Sequence, residues 1–145
     1  MDRDFQPVAA ALREAPDVAS QQRMVLIAVM SLIEASAFEA LSQYLAEDIE
    51  LHIHGMKEFA GSWYGYQDVA GAITANFSKV TVQRPVIEGL IQQGNAIALR
   101  IRETGHMVAS GEDYEVRAVL WFEFEDVHIR RIDEFLGVGP LPARG

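Results

Sequence analysis

The segment from Asp48 to Gly55 is the feature that most constrains the fold of this chain. Its apolar residues Ile49, Leu51 and Ile53 alternate with polar ones, which is the period-2 pattern of a half-buried strand. A glycine-punctuated loop with three aromatic residues follows at 59–65, and a helical pattern begins directly after it. A strand, an aromatic loop and a helix in this order predict one wall and the lip of a small-molecule pocket.

Composition restricts the partners that such a pocket protein can have. The chain has 145 residues, half of them hydrophobic, so one domain can bury a sizeable core. Its net charge of -9 disfavours nucleic acid and anionic membrane surfaces as partners. There is no cysteine, which excludes disulfides and thiolate ligands. The charged N-terminus lacks the apolar stretch of a signal peptide, so we expect a cytoplasmic protein.

The order of the elements predicts an α+β domain. Residues 1–19 are interpreted as a loose N-terminal arm, 20–136 as the domain and 137–145 as a C-terminal tail. Residues 20–34 form a helix that is apolar nearly all round, and Ser36 with Glu39 has the spacing of a capping box that begins a second helix.

Four antiparallel strands are predicted after a helix at about 66–79. Pro85 places the first of them at an edge or a bulge, and Gly94 with Asn95 marks a tight hairpin. The strands cover roughly residues 82–92, 96–103, 113–125 and 127–136. We therefore expect a curved, mostly antiparallel sheet that wraps around a long helix.

Five segments of the chain resemble the SnoaL-like branch of the nuclear-transport-factor-2-like superfamily. They are Phe38–Leu41, Leu45–Gly55, Ala60–Gly65, Gly94–Arg100 and Ile129–Phe135. The resemblance covers roughly residues 22–136 and implies a cone-shaped domain with a cavity between sheet and helices, often dimeric through the outer sheet face. It does not fix an activity, because the superfamily includes cyclases, isomerases, hydrolases, dehydratases and non-catalytic binders.

Ketosteroid isomerase is a relative in this superfamily whose catalytic residues can be compared with this chain. Its pocket uses an aspartate base, a tyrosine and a protonated aspartic acid, and the resemblance aligns Ile53, Val29 and Leu120 with these positions. All three are apolar here. The base and the oxyanion donors of that mechanism are therefore not inherited.

The last strand contains a different candidate base and a cationic residue beside it. Its more apolar face contains Ile129, Arg131, Asp133 and Phe135, and we expect this face to point into the cavity. Asp133 is then the candidate general base, kept ionised by Arg131 two residues away. The alternative is a structural ion pair at the sheet rim.

The strand at 113–125 also divides into two faces. Tyr114, Leu120 and Phe122 are expected to line the cavity, although such a tyrosine often only packs with its hydroxyl in water. Val119 and Trp121 lie on the other face and predict a homodimer interface. The alternative to a dimer is that a short N-terminal arm covers these two residues.

Aromatic and apolar residues elsewhere complete the predicted ligand site. Trp63 and Tyr64 are expected at the lip, where they either stack on a ligand or plug the core. His54, at the end of its strand, could reach the mouth. The remaining candidates for contact with a small hydrophobic molecule are Ile53, Phe77, Leu99 and Phe135.

No metal or cofactor is expected. His52 and His54 share one strand face, but the apolar residues point the other way, so both should face out without a third ligand. No glycine-rich phosphate loop or nucleophile elbow is present. Two hypotheses follow: a metal-free acid–base enzyme acting on a small hydrophobic carbonyl compound, or a non-catalytic ligand-binding or interaction dimer.

Overall fold

Two α-helices, one 3₁₀-helix and six strands form residues 17–137, the part of the chain that this computed structural model describes. In chain order they are α1 (Val18–Glu34), the 3₁₀-helix (Phe38–Tyr44), β1 (Leu45–His54), β2 (Gly61–Tyr64), α2 (Tyr66–Phe77), β3 (Val80–Gln93), β4 (Ala96–Met107), β5 (Asp113–Glu125) and β6 (His128–Leu136). The predictions for residues 1–16 and 138–145 lie outside the described residues. None of the helices within 17–137 is long and apolar enough to cross a membrane.

All six strands belong to one curled sheet that does not close. Their order is β2-β1-β6-β5-β4-β3, with β1 and β6 parallel and the other neighbours antiparallel. The predicted α+β class is confirmed. Strand β3 is an edge strand with two register shifts, as Pro85 predicted, because proline lacks the N–H that an interior strand needs. The predicted hairpin is present between β3 and β4, where Gly94 has a φ of 57°.

Helix α1 covers the inner face of the sheet. It begins at Asp17, whose side chain accepts a hydrogen bond from the Ser20 amide at 2.7 Å. Five apolar residues of α1 are almost fully buried, namely Val25, Leu26, Ala28, Val29 and Leu32. Gln22, also buried, donates to Asn95 Oδ1 at 3.0 Å and to the Asp126 carbonyl at 2.8 Å. These two bonds fix the helix to the turns at one end of the sheet.

Two local predictions are wrong. Ser36 is not an N-cap: it has a φ of 57°, and the 3₁₀-helix begins at Phe38 after Ala37, which makes no side-chain capping bond. The capping box therefore does not form. The second error is the segment 59–65, which is not only a loop, because its residues 61–64 form β2 and pair with β1. This pairing extends the sheet by one edge strand.

Candidate functional site

A cavity of about 120 Å³ lies between the helices and the inner face of the sheet. Every helix contributes to its lining, as do all the strands except β2. Most of the lining residues are apolar, and three of them are methionines whose flexible side chains can adapt to a ligand, Met30, Met56 and Met107. Among the described residues that line this space, none is lysine, arginine or histidine.

One polar group of the cavity is a hydrogen-bonded cluster of Gln83, Glu103 and Tyr114. The Tyr114 hydroxyl donates to Glu103 Oε2 at 2.7 Å, and Gln83 Nε2 donates to Glu103 Oε1 at 2.8 Å. Burial raises the pKa of the Tyr114 phenol, and the bond to Glu103 with its negative charge raises it further. Tyr114 therefore stays protonated, and both oxygens of Glu103 are already engaged.

Gly105 makes this cluster possible. It lies opposite Tyr114 in the β4–β5 pairing, and the tyrosine ring lies across it on its way to Glu103. A Cβ at residue 105 would come within 2.6 Å of the ring. Glycine is required here because another side chain would occupy the space of the ring.

Glu134 is the second carboxyl group of the cavity. It lies on β6 opposite Leu120, another residue of the lining. Burial, together with the negative charge of Glu103, raises the pKa of Glu134 from 4.5 to about 7. Within residues 17–137, no hydrogen bond or ion pair satisfies this carboxyl. A carboxyl group without a partner in an apolar cavity can hold a proton or accept one near neutral pH.

The orientation predicted for Arg131 and Asp133 is wrong. A bulge at Arg130 in β6 places Ile129 opposite Phe124 but Arg131 opposite Glu123, so one extra residue separates the two pairs. Since side chains alternate along a strand, one extra residue reverses the phase. Ile132, Glu134 and Leu136 therefore line the cavity, whereas Arg131, Asp133 and Phe135 do not.

Arg131 and Asp133 instead form an ion pair on the outer face of the sheet. Arg131 donates to Asp133 from Nε at 2.7 Å and from Nη2 at 3.3 Å. Burial raises the pKa of Asp133, but the hydrogen bond and charge of Arg131 outweigh it and hold the pKa below 3.8. His54 Nε2 lies 3.5 Å from Asp133 Oδ1. This is the structural ion pair that the sequence analysis kept as an alternative.

Both histidines of β1 belong to the same outer face, as expected. His52 contacts Ser62 Oγ at 2.8 Å through Nδ1 and Glu50 Oε1 at 3.0 Å through Nε2. The His54 ring stacks on Phe135 with ring centroids 4.8 Å apart. No cluster of three or more histidine or acidic side chains within residues 17–137 has the arrangement of a metal site.

The other residues predicted to contact ligand fall into two groups. The cavity lining contains Ile53, Phe77, Tyr114, Leu120 and Phe122, whose contact with a ligand stays a prediction. The lining does not contain Leu99, Trp63, Tyr64, His54 or Phe135. Leu99 is instead fully buried in the core, and Trp63 and Tyr64 belong to strand β2, which does not line the cavity.

The positions aligned with the ketosteroid isomerase site all lie in the cavity lining. Val29, Ile53 and Leu120 face the space from α1, β1 and β5. Three apolar side chains thus occupy the positions that the resemblance aligns with the polar residues of that enzyme. The polar residues of this cavity come from other positions that the sequence analysis did not identify: Asn76, Gln83, Glu103 and Glu134.

Comparison with known proteins agrees with this architecture. The family model described as a SnoaL-like domain matches residues 26–132. The solved structure of Bal32a, from a soil-derived mobile gene cassette, has a TM-score of 0.74 at 15% identity, covering 83% of this chain and 92% of that chain. No curated protein matches the chain.

Two further solved structures share the fold. One is described as a candidate isomerase from Bacillus subtilis, with a TM-score of 0.71 at 12% identity over 83% of this chain and 89% of that chain. The other is TerC co-crystallised with polyporic acid, with a TM-score of 0.70 at 13% identity over 80% of this chain and 91% of that chain. At these identities the likeness concerns the fold alone.

Proposed function

The chain belongs to the SnoaL-like domain family, and on that premise we propose that its cavity performs acid–base chemistry on a small, mostly apolar carbonyl compound. Glu134 is the general base in this proposal. Its carboxylate removes a proton from the carbon next to the carbonyl. The C–H electron pair forms the enolate double bond, the carbonyl π pair moves to oxygen, and Glu134 returns the proton to carbon.

One observation carries the proposal, namely the position of the Glu134 carboxyl in the cavity with its pKa raised to about 7. A general base is most effective when its pKa lies near the working pH, because it is then both ionised and basic enough. An ordinary glutamate, with a pKa near 4.5, is a much weaker base. Apolar walls also keep water away from the reacting carbon.

The Tyr114–Glu103–Gln83 cluster supports this role without taking part in the proton transfer. The negative charge of Glu103 helps to raise the pKa of Glu134. Tyr114 and Gln83 occupy both oxygens of Glu103, which leaves Glu134 as the carboxyl free to meet a ligand. The two carboxyl groups thus receive different roles from their different surroundings.

The size of the cavity limits the substrate. A protein cavity of about 150 Å³ holds benzene, a molecule of six non-hydrogen atoms. The cavity here, at about 120 Å³, suits a ligand of that size or slightly larger if the methionine side chains move. Cyclopentanone has six non-hydrogen atoms and acidic protons beside its carbonyl, so it is a suitable probe.

Exchange of the α-protons of cyclopentanone for deuterium in D₂O tests the proposal, with mass spectrometry as readout. Deuterium enters because the Glu134 carboxyl, once it has taken the α-proton, exchanges that proton with D₂O and returns a deuteron to carbon. We expect the protein to accelerate exchange with a rate that rises with pH through about 7, because Glu134 must be ionised. Glu134→Gln should lose this acceleration. Asp133→Asn is the matched control, because its side chain neighbours Glu134 in sequence but lies on the opposite sheet face. Equal exchange in Glu134→Gln and in the unsubstituted protein would refute the proposal.

A second candidate function is a non-catalytic ligand-binding dimer. It is favoured by three large apolar side chains on the outer sheet face, whose exposed fractions are 42% for Val119, 38% for Trp121 and 48% for Phe135. Such a patch is suited to a second copy of the chain. This candidate predicts that cyclopentanone binds without any accelerated exchange.

A further inference from the structure

Asn76 carries a polar group that the protein itself leaves unpaired. It lies near the end of α2 and lines the cavity. Its Nδ2 has almost no accessible surface and no hydrogen-bond partner, and it is the single side-chain nitrogen or oxygen within residues 17–137 for which both are true. A buried amide donor without an acceptor destabilises a protein, because it has lost its hydrogen bonds to water. Such a group therefore needs an explanation.

The orientation of this amide is fixed by Lys79. The Lys79 ammonium donates to Asn76 Oδ1 at 3.2 Å, and since an ammonium has only donors, the amide oxygen must face it. Lys79 is itself held by the Glu58 carbonyl at 2.7 Å and lies 5.2 Å from the ring centroid of Phe59. The amide cannot rotate by half a turn without turning its NH₂ group towards the ammonium. Nδ2 consequently stays on the buried side.

We propose that Asn76 Nδ2 is the oxygen-binding group of the site and that the ligand is a small neutral carbonyl compound. An amide NH₂ group repels cations, which excludes an ammonium ligand at this point. Anions are disfavoured by Glu103 and Glu134, since the described lining holds no cationic side chain. A neutral molecule with one acceptor oxygen and an apolar body satisfies both conditions.

This inference rests on the proposed function in one respect, the choice of a carbonyl over an alcohol. A hydrogen bond to the carbonyl oxygen also stabilises the enolate that forms when Glu134 removes the α-proton. Asn76 would then contribute binding and electrophilic assistance, while Glu134 contributes the base. The two roles can be measured separately because the first is visible in binding alone.

The test compares cyclopentanone with methylenecyclopentane, which has the same shape but no oxygen. Headspace gas chromatography measures the affinity of both volatile probes for the unsubstituted protein, Asn76→Leu and Asn76→Asp. We expect the two substitutions to weaken cyclopentanone binding by roughly tenfold, as for loss of one hydrogen bond. Hydrocarbon binding to Asn76→Leu should be unchanged. Asn76→Asp preserves the size of the side chain and its contact with Lys79 but lacks the NH₂ donor. It therefore tests the same hydrogen bond if the leucine variant folds poorly.

The carbonyl stretching frequency of bound cyclopentanone provides a second measurement, because it would not change if Asn76 had only a structural role. It should lie lower in the unsubstituted protein than in Asn76→Leu, because a hydrogen bond weakens the C=O bond. Unchanged ketone affinity in both variants, or an equal loss for ketone and hydrocarbon in Asn76→Leu, would overturn the inference. Both results leave the Glu134 proposal standing.

The same binding measurements in Glu134→Gln separate the two proposals. If ketone binding there still depends on Asn76 while the exchange rate equals that of the unsubstituted protein, the oxygen-binding role stands and the base assignment fails. If neither probe binds to the unsubstituted protein, the cavity is not a ligand site and both proposals fail.

Discussion

Replacement of Glu134 by glutamine is expected to stabilise the folded protein increasingly as the pH rises. In the folded chain burial raises the pKa of this carboxyl to about 7, whereas in the unfolded chain it is expected near 4.5. Below pH 4.5 both states hold the proton. Between 4.5 and about 7 the folded state holds more protons than the unfolded state, so stability falls as the pH rises. Above this range the buried carboxylate is destabilising.

The magnitude follows from the separation of the two pKa values. A separation from 4.5 to about 7 corresponds to about 3 kcal/mol of unfolding free energy. Glutamine does not titrate, so this pH-dependent loss should be absent in the variant. Any constant effect of the buried amide cancels when the stability difference between the two proteins is followed with pH.

The assay is urea unfolding of both proteins at intervals from about pH 4 to 8.5, analysed by linear extrapolation. We expect the stability of Glu134→Gln relative to the unsubstituted protein to increase by about 3 kcal/mol across this range, or roughly 10 °C in Tm. Glu47→Gln, an exposed position on β1, is the control. Parallel pH dependences for Glu134→Gln and the unsubstituted protein would refute the reasoning.

Three further predictions concern the surroundings of the site. Tyr114→Phe removes a donor to the Glu103 carboxylate and should lower the unfolding free energy by about 2 kcal/mol, measured in urea; no change would contradict the role of this bond. Asp133→Asn should retain cyclopentanone exchange and lose about 1 kcal/mol of stability at neutral pH. Because Arg131 holds the pKa of Asp133 below 3.8, that loss should disappear as the pH falls through the lowered pKa, and a loss independent of pH would contradict the pairing. If Trp121 lies in a dimer interface, as the second candidate function proposes, Trp121→Arg should shift sedimentation from dimer to monomer, and an unchanged sedimentation coefficient would remove the proposed interface.

Most of the architecture was predictable because it depends on local patterns. Alternation marked β5 and β6 within about one residue of their observed ends, and Pro85 and Gly94 identified the edge strand and the hairpin. It marked the end of β1 equally well, but this strand begins at Leu45, three residues before the predicted start. The short strand β2 was missed because four residues with two aromatics do not show a clear period. Its strand conformation depends on pairing with β1, which is a tertiary effect.

The site was predicted less well because one inserted residue reversed a strand face. Ile129 and Ile132 are both buried and lie three residues apart, which strict alternation would place on opposite faces. Two consecutive polar residues, Arg130 and Arg131, lie between these isoleucines and interrupt the alternation, which is the pattern expected at a bulge. Reading that signal would have exchanged Asp133 for Glu134 as the acid in the cavity.

Asn76 and Glu103 could not have been identified from local pattern. Asn76 lies at the end of a helix, where polar residues are common, and its importance depends on Lys79 fixing the amide. Glu103 continues the inward face of β4 after Ile101, but only the approach of Tyr114 across Gly105 makes burial of its charge tolerable. Both depend on contacts between elements far apart in sequence.

A direct measurement of the pKa of the Glu134 carboxyl decides whether this group can act as the base of the cavity. Carbon-13 NMR of protein labelled at the glutamate side-chain carboxyl, with Glu134→Gln used to assign the signal, follows this group through a pH titration. We expect a midpoint near 7, and a shift of the signal when cyclopentanone is added. A midpoint near 4.5 and a signal insensitive to the ketone would place Glu134 in solvent and contradict the account.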